Sequence, residues 1–197
     1  MVLDSKLSDT ELINSFLKGN KQALNILLKK YSAQVYSYIF IMLKNQDLAK
    51  DFLQETYIKV FNSLKSGKYT EKGAFLYWVL RIAHNLVIDY YRRNKSFPTI
   101  SNDSSDYDFF NSLSLSEKNI EQELIETQTN KDLRELINKL PAEQKEVILL
   151  RHYGGLSFKE IAKITNVSIN TALGRMRYAL INLRKLIEQY KVNLNTH

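Results

Sequence analysis

The chain has 197 residues, no cysteine and a formal net charge of +7. A hydrophobic content of 44% is enough for one or two packed domains and argues against wholesale disorder. Without cysteine there are no disulfides, no thiolate zinc site and no thiol nucleophile, which fits a reducing cytoplasm. The opening residues, MVLDSKLSDTEL, lack the basic-then-apolar order of a signal peptide. No run of about 18 apolar residues offers a membrane span, so a cytoplasmic protein without membrane insertion is expected.

Charge is distributed in blocks. Residues 1–93 carry a net +6, residues 94–130 a net −5 and residues 131–197 a net +6. A basic block attracts polyanions through counterion release, although a solvated Lys-rich surface has the same composition.

Two prolines and six glycines in the whole chain favour helices. Ser8 and Glu11 form an S-x-x-E capping box that opens a helix ending at Gly19. Asn20 caps the next, from about Lys21 to Lys44, where Ala23, Leu27, Tyr31, Val35, Tyr38 and Met42 repeat at helical spacing. Asp47 is the expected cap of a third helix reaching about Lys65. A glycine-punctuated loop, KSGKYTEKG, leads to a fourth helix, AFLYWVLRIAHNLVIDYYRRN.

Residues 95–116 have turn formers and acidic residues without a sustained period, and read as a linker. Helical spacing returns from Glu117 to Leu140, and Pro141 fits the first turn of a helix ending at Gly154-Gly155. Ser157 and Glu160 form a second capping box, and a short helix ends near Thr165 before the final long one. The expectation is an all-α fold of two helical domains: a four-helix unit over 1–94, a flexible acidic linker over 95–130 with the start of a helix, and a helix-turn-helix unit over 131–197.

The helix-turn-helix follows from coinciding requirements. Ala162 suits a close helix crossing, Asn166 tolerates a left-handed turn, Val167 plugs that turn and Ser168 caps the next helix. Ala172, Met176, Leu180, Leu183 and Ile187 then form the inward stripe. Asn170, Thr171, Gly174, Arg177 and Tyr178 are left outward, with Arg175 near them. In DNA-binding versions the second helix enters the major groove, where Arg holds phosphates or guanine edges and a glycine permits close backbone approach. A plain helical hairpin of a bundle is the alternative.

In the third helix Ala49, Phe52, Leu53, Thr56 and Val60 face one way, while Asp51, Gln54, Glu55 and Ile58 face the other. Acidic and amide groups beside an exposed Ile, on a basic domain, suit a protein-docking surface as well as a solvated one. The fourth helix interleaves aromatic residues with Arg81, Asn85, Arg92 and Arg93, a mixture suited to unpaired bases, while Trp78 reads as core. His84 reads as a helix-surface or core-edge residue, and His152 as a helix end beside the negative dipole.

The order of these parts is informative. LAKDFLQETYIKVF resembles the core-polymerase-binding helix of bacterial RNA polymerase sigma factors, and AFLYWVLRIAHNLVIDYYRRN is similar to their promoter-melting helix. LPAEQKEVILLRHYGGLSFKEIAKITNVSINTALGRMRYAL resembles their C-terminal promoter domain, and the two-domain layout is that of the extracytoplasmic-function class. The resemblance implies that Asp51, Gln54, Glu55 and Ile58 bind the clamp helices of the polymerase largest subunit. It implies that the loop around Lys68, Tyr69 and Thr70 captures a base flipped from the −10 element. Arg81, Asn85, Asp89, Arg92 and Arg93 would then hold the melted strand. It further implies that Lys159, Ser168, Asn170, Thr171, Leu173, Gly174, Arg175, Arg177 and Tyr178 read duplex −35 DNA. The acidic segment 101–126 would thread the polymerase's basic channels.

Such factors are not enzymes, need no cofactor or metal, and commonly have an anti-sigma partner. Leu173 departs from the Lys common at its position in relatives, so an apolar contact with a thymine methyl replaces a phosphate contact there or the contact is absent. The rival class is a stand-alone helix-turn-helix regulator with an N-terminal ligand-binding or dimerisation domain. An intrinsic enzyme finds no support: the three histidines are dispersed and no glycine loop forms a phosphate cradle.

Overall fold

The structure is a computed structural model in which residues 7–70, 73–94 and 132–191 are described. Every regular element among the described residues is an α-helix. The N-terminal unit comprises α1 (Asp9–Leu17), α2 (Lys21–Leu43), α3 (Gln46–Lys65) and α4 (Phe75–Asn94). The C-terminal unit comprises α5 (residues 132–138), α6 (Ala142–His152), α7 (Phe158–Ile164) and α8 (Ile169–Tyr190). The expected linker over 95–130 lies outside the described residues, as does most of the helix expected from Glu117.

Local chemistry sets the helix ends. Both capping boxes form: the Ser8 and Ser157 hydroxyls accept from the Glu11 and Glu160 amides, while those glutamates accept from the serine amides at 2.8 Å. At α3 the expected Asp47 cap is corrected to Asn45, whose Oδ1 accepts from the Leu48 amide at 3.0 Å. Lys44 turns left-handed at φ 54°, so the helix starts two residues earlier and Asp47 falls in its first turn. Pro141 is likewise the cap of α6 and not its first turn; α6 ends at His152, just ahead of the glycine pair.

The N-terminal core is aromatic. Tyr38, Phe75 and Trp78 are buried with Leu12, Leu27, Ile39, Val60 and Leu64. Asp9 ties α1 to α2 by accepting from Lys30 Nζ at 2.7 Å and the Tyr31 hydroxyl at 2.6 Å. Ser37 and Thr56 are fully buried, and each satisfies its hydroxyl by donating to the carbonyl four residues back.

The C-terminal core is aliphatic and small where helices approach, with Leu149, Leu150, Ile161, Ala162, Ala172 and Ala179 buried. The two units meet. Helix α6 packs on α2, and α7 packs on α4. Gly154 marks the tightest point: a Cβ there would stand 2.6 Å from the Leu150 carbonyl oxygen and 2.8 Å from Leu80 Cδ1 of α4.

Candidate functional site

The turn between α7 and α8 is built as its sequence requires. Asn166 has φ 53°, Val167 packs on the core, and the Ser168 hydroxyl accepts from the Thr171 amide at 3.0 Å. The Ser168 hydroxyl also pairs with the Thr171 hydroxyl at 2.8 Å, so Ser168 is a structural cap before it is a ligand contact. Ala162 and Ala172 are buried where α7 crosses α8. The expected inward stripe needs correcting: Leu180 is 40% exposed and Ala179 takes the inward position at 0%. The inward phase runs through Ala172, Met176, Ala179, Leu183 and Leu186, so Leu180 is turned out and Leu186 takes the place expected for Ile187.

The solvent side of α8 carries Asn170, Thr171, Leu173, Arg177 and Tyr178, all exposed, with Gly174 and Arg175 half-exposed and Lys159 exposed on α7. Neither Arg175 nor Arg177 is held in an ion pair among the described residues. A Cβ on Gly174 would meet nothing within 4 Å. The protein's own packing therefore does not demand a glycine there, although glycine in a helix interior costs about 1 kcal/mol relative to alanine.

In α4 the buried residues Tyr77, Leu80, His84, Val87 and Tyr91 form one face. Arg81, Asn85, Asp89 and Arg92 recur every three or four residues on another, and Asn85, Asp89, Arg92 and Arg93 are exposed. The Arg81 guanidinium lies 5.6 Å from the Tyr77 ring centroid, and Arg92 pairs with Asp89 at 3.3 Å. The loop after α3 comes to the start of this helix because the Tyr69 ring packs against Trp78, centroids 4.7 Å apart, and against Phe75 at 6.2 Å. Tyr69 thus anchors the loop, and Lys68 and Thr70 on either side of it are exposed. Trp78 is core, 5% exposed.

On α3 the residues Asp51, Gln54, Glu55 and Ile58 share one exposed face, Ile58 at 60%. Glu55 makes an ion pair with Lys59 at 3.6 Å. The opposite face, through Ala49, Thr56 and Val60, is buried.

One cluster escaped the sequence reading. His84 is 8% exposed, neither a surface nor an edge residue, and its Nδ1 lies 2.7 Å from Glu146 Oε1. The same carboxylate oxygen accepts from the Tyr38 hydroxyl at 2.8 Å, and the Tyr38 oxygen is 3.1 Å from His84 Nδ1. The available signal was periodicity: His84 falls in register with Leu80, Val87 and Tyr91. Beside it Lys145 is 5% exposed, and burial with the nearby Lys44 charge lowers its pKa to about 8. Burial followed by the Lys139 charge lowers Lys44 as well.

Among the described residues no group of three or more metal-ligating side chains forms, and no helix is long and apolar enough to cross a membrane. The family model described as Sigma-70 region 2 matches residues 27–97, and that described as Sigma-70, region 4 matches residues 130–178. The ECF RNA polymerase sigma-E factor of Haemophilus influenzae is 28% identical over 93% of this chain and 95% of its own length. RNA polymerase sigma factor YlaC of Bacillus subtilis is 29% identical over 88% of this chain and 99% of its own. Two solved structures share the fold. CnrH, solved with the cytosolic domain of CnrY, has a TM-score of 0.62 at 19% identity over 94% of this chain and 99% of that chain. The sigma factor RpoE, solved with the anti-sigma factor NepR from Bartonella quintana, has a TM-score of 0.62 at 18% identity over 82% and 94%. Two sigma-70 regions in their proper order, on an all-helical chain, place this protein in the sigma-70 family as an RNA polymerase sigma factor of the extracytoplasmic-function type.

Proposed function

We propose that the chain directs core RNA polymerase to its promoters through three surfaces, each on its own helix. The α3 face of Asp51, Gln54, Glu55 and Ile58 binds the clamp helices of the largest subunit, with Ile58 as the apolar centre and the carboxylates meeting basic residues. Lys68 and Thr70 of the loop, with Asn85 and Arg93 on α4, hold the unpaired −10 strand. Arg81 and Arg92 extend that stripe along the backbone, and Tyr69 keeps the loop in place. Flipping a base costs a few kcal/mol, offset by stacking and by hydrogen bonds to the extruded base.

Helix α8 enters the −35 major groove with Asn170, Thr171 and Leu173 toward base edges. Arg175, Arg177, Tyr178 and Lys159 lie toward phosphates. The observation that carries this reading is Gly174: a glycine that nothing inside the protein requires, in the middle of a polar and cationic helix face. Its reason lies on the solvent side, where a bare backbone lets a duplex come close.

We place this work in the cytoplasm, with polymerase supplying the chemistry of RNA synthesis and no catalytic step assigned to the chain. An anti-sigma partner fits the same surfaces. A stand-alone regulator leaves the acidic α3 face and the α4 stripe without a task. The test replaces Arg175 and Arg177 by Ala and follows promoter-complex formation across salt. The expected result is a salt slope lowered by about 1 for each phosphate no longer neutralised; an unchanged slope and affinity would remove both residues from the interface. In parallel, Asp51→Arg should abolish co-purification with core polymerase while the fold is retained.

A further inference from the structure

Helix α6 begins without a side-chain cap. Pro141 brings no side-chain hydrogen bond to its N-terminus, and the Pro141 carbonyl accepts from the Gln144 and Lys145 amides at 3.0 and 2.9 Å. The Ala142 and Glu143 amides find no acceptor among the described residues, so the positive end of this eleven-residue helix keeps donors to spare. Three cations gather there. Lys145, the fourth residue of the helix, is 5% exposed, and a helical side chain leans back over the turn before it, toward those amides. Helix α6 packs on α2, which brings Lys44, the left-handed C-cap of α2, beside Lys145. Burial first, and then the Lys44 charge, lowers the Lys145 pKa; Lys139, two residues before Pro141, acts on Lys44 in the same way. The Lys139 Nζ rests 4.6 Å from the Tyr190 ring centroid of α8. None of the three lysines has a carboxylate partner among the described residues. The Glu143 side chain is exposed and pairs with none of them.

A buried lysine is almost always paired. The next residue obeys that rule: Glu146, 6% exposed, is held by Tyr38 and His84. Lys145 has the burial without the partner. A solvated lysine on an open surface would ask for nothing, but a buried stem held against like charge costs stability until an anion offsets it. We propose that the N-terminus of α6, with Lys145, Lys44 and Lys139 around it, is a binding site for a phosphate-class oxyanion, either free phosphate or the phosphate chain of a nucleotide. The anion accepts from the Ala142 and Glu143 amides and takes the Lys145 and Lys44 ammonium groups as its charge partners, with Lys139 at the outer edge. A carboxylate offers fewer oxygens than there are donors here, whereas a phosphate can serve them all. The site uses no residue of the three promoter surfaces, so it stands apart from the promoter reading.

The experiment titrates the full chain with inorganic phosphate, pyrophosphate and adenosine triphosphate in turn, at fixed ionic strength in chloride, and follows thermal unfolding. Lys145→Met removes the buried cation and, with it, a repulsion, so this variant is expected to fold. Lys44→Asn removes the second cation and keeps a residue that tolerates the left-handed turn. Lys29→Met, at an exposed position of α2, changes the net charge equally and serves as the control. For the wild-type chain and Lys29→Met the midpoint should rise saturably, by about 3–6 °C at about ten times the Kd. Lys145→Met should lose the rise, and Lys44→Asn should bind about tenfold more weakly, the size of one lost hydrogen bond to a charged group. The Lys145 ammonium, followed by NMR, should titrate above about 8 once the anion is bound. Tighter binding of adenosine triphosphate than of phosphate, with the same dependence on Lys145, assigns the anion to a nucleotide; the reverse order assigns it to free phosphate. A rise that never saturates and is equal in all four chains is the general exclusion of phosphate from protein surfaces, and would overturn the site. Saturable binding that survives Lys145→Met would overturn it as well, because the anion would then sit elsewhere.

Discussion

Helices α4 and α8 are nearly equal in length, 20 and 22 residues, and both are proposed to meet DNA, yet they are held in opposite ways. Nine residues of α4 are buried, among them Trp78, Phe75 and Tyr91, whose hydroxyl donates to the Met42 carbonyl. Only Ala172 and Ala179 of α8 are. Helix α4 is thus a core element with one polar stripe left over, whereas α8 is a rod clipped to its unit by two buried methyl groups and partly buried Met176, Leu183 and Leu186. A strand that must be melted and held needs a rigid platform. A rod that must lie in a groove needs most of its girth free.

The comparison breaks first if α4 is not the keystone it looks. Trp78→Ala should destabilise the chain by about 3–5 kcal/mol, measured by urea unfolding, and lose −10 strand binding with it. A second substitution sharpens the other side. Ala179→Leu adds volume where α8 is gripped and should cost about 1–3 kcal/mol despite the small residue involved. Leu180→Ala, one position on and exposed, should be near neutral by the same measurement.

Between the two units, Lys145 makes a pH prediction. Its proton is bound more weakly in the folded chain, at about 8, than at its ordinary 10.5. The unfolded chain therefore binds more protons between those values, and stability should rise by about 1–2 kcal/mol from pH 8 toward 10. The rise ends where Tyr38 and Tyr91, both pushed above the ordinary tyrosine range by burial, begin to ionise in the unfolded chain. Lys145→Met should flatten the slope in a pH series of thermal melts; Lys44, the cation facing it, Lys139, which faces Lys44, and Glu146 and His84 beside it stay in place. The smallest effect is on the outer face of α8. Gly174→Ala should stabilise by about 0.5–1 kcal/mol while weakening binding to a −35 duplex, a pairing that a purely structural glycine would not give.

Much of this was legible from local chemistry. The capping boxes at Ser8 and Ser157, the left-handed Asn166 and the Ser168 cap each depend on residues within four positions, so spacing alone located them. The exposed face of α3 followed from periodicity for the same reason. Where several local solutions compete, the reading slipped: Lys44, Asn45 and Asp47 all offer a way to end or begin a helix, and a left-handed Lys44 decided for Asn45. Leu180 and Ala179 show a second limit, since hydrophobicity ranks leucine as the inward residue while the helical phase set by Ala172, Met176 and Leu183 puts the alanine there. The Tyr38, His84 and Glu146 cluster was illegible because a glutamate in the run EVILL has no local reason to be buried. Its partners come from two other helices.

That separation has a consequence during synthesis. Tyr38 and Glu146 are 108 residues apart in the chain. Ribosomes add about 5–20 residues per second, so Glu146 is made on the order of 5–20 s after Tyr38. The first four helices have all their own core residues well before then, and they emerge as a folded body with the docking face of α2 and α4 bare. A nascent chain therefore passes through an interval in which the face of α2 and α4 that later meets α6 and α7 has no partner from its own chain.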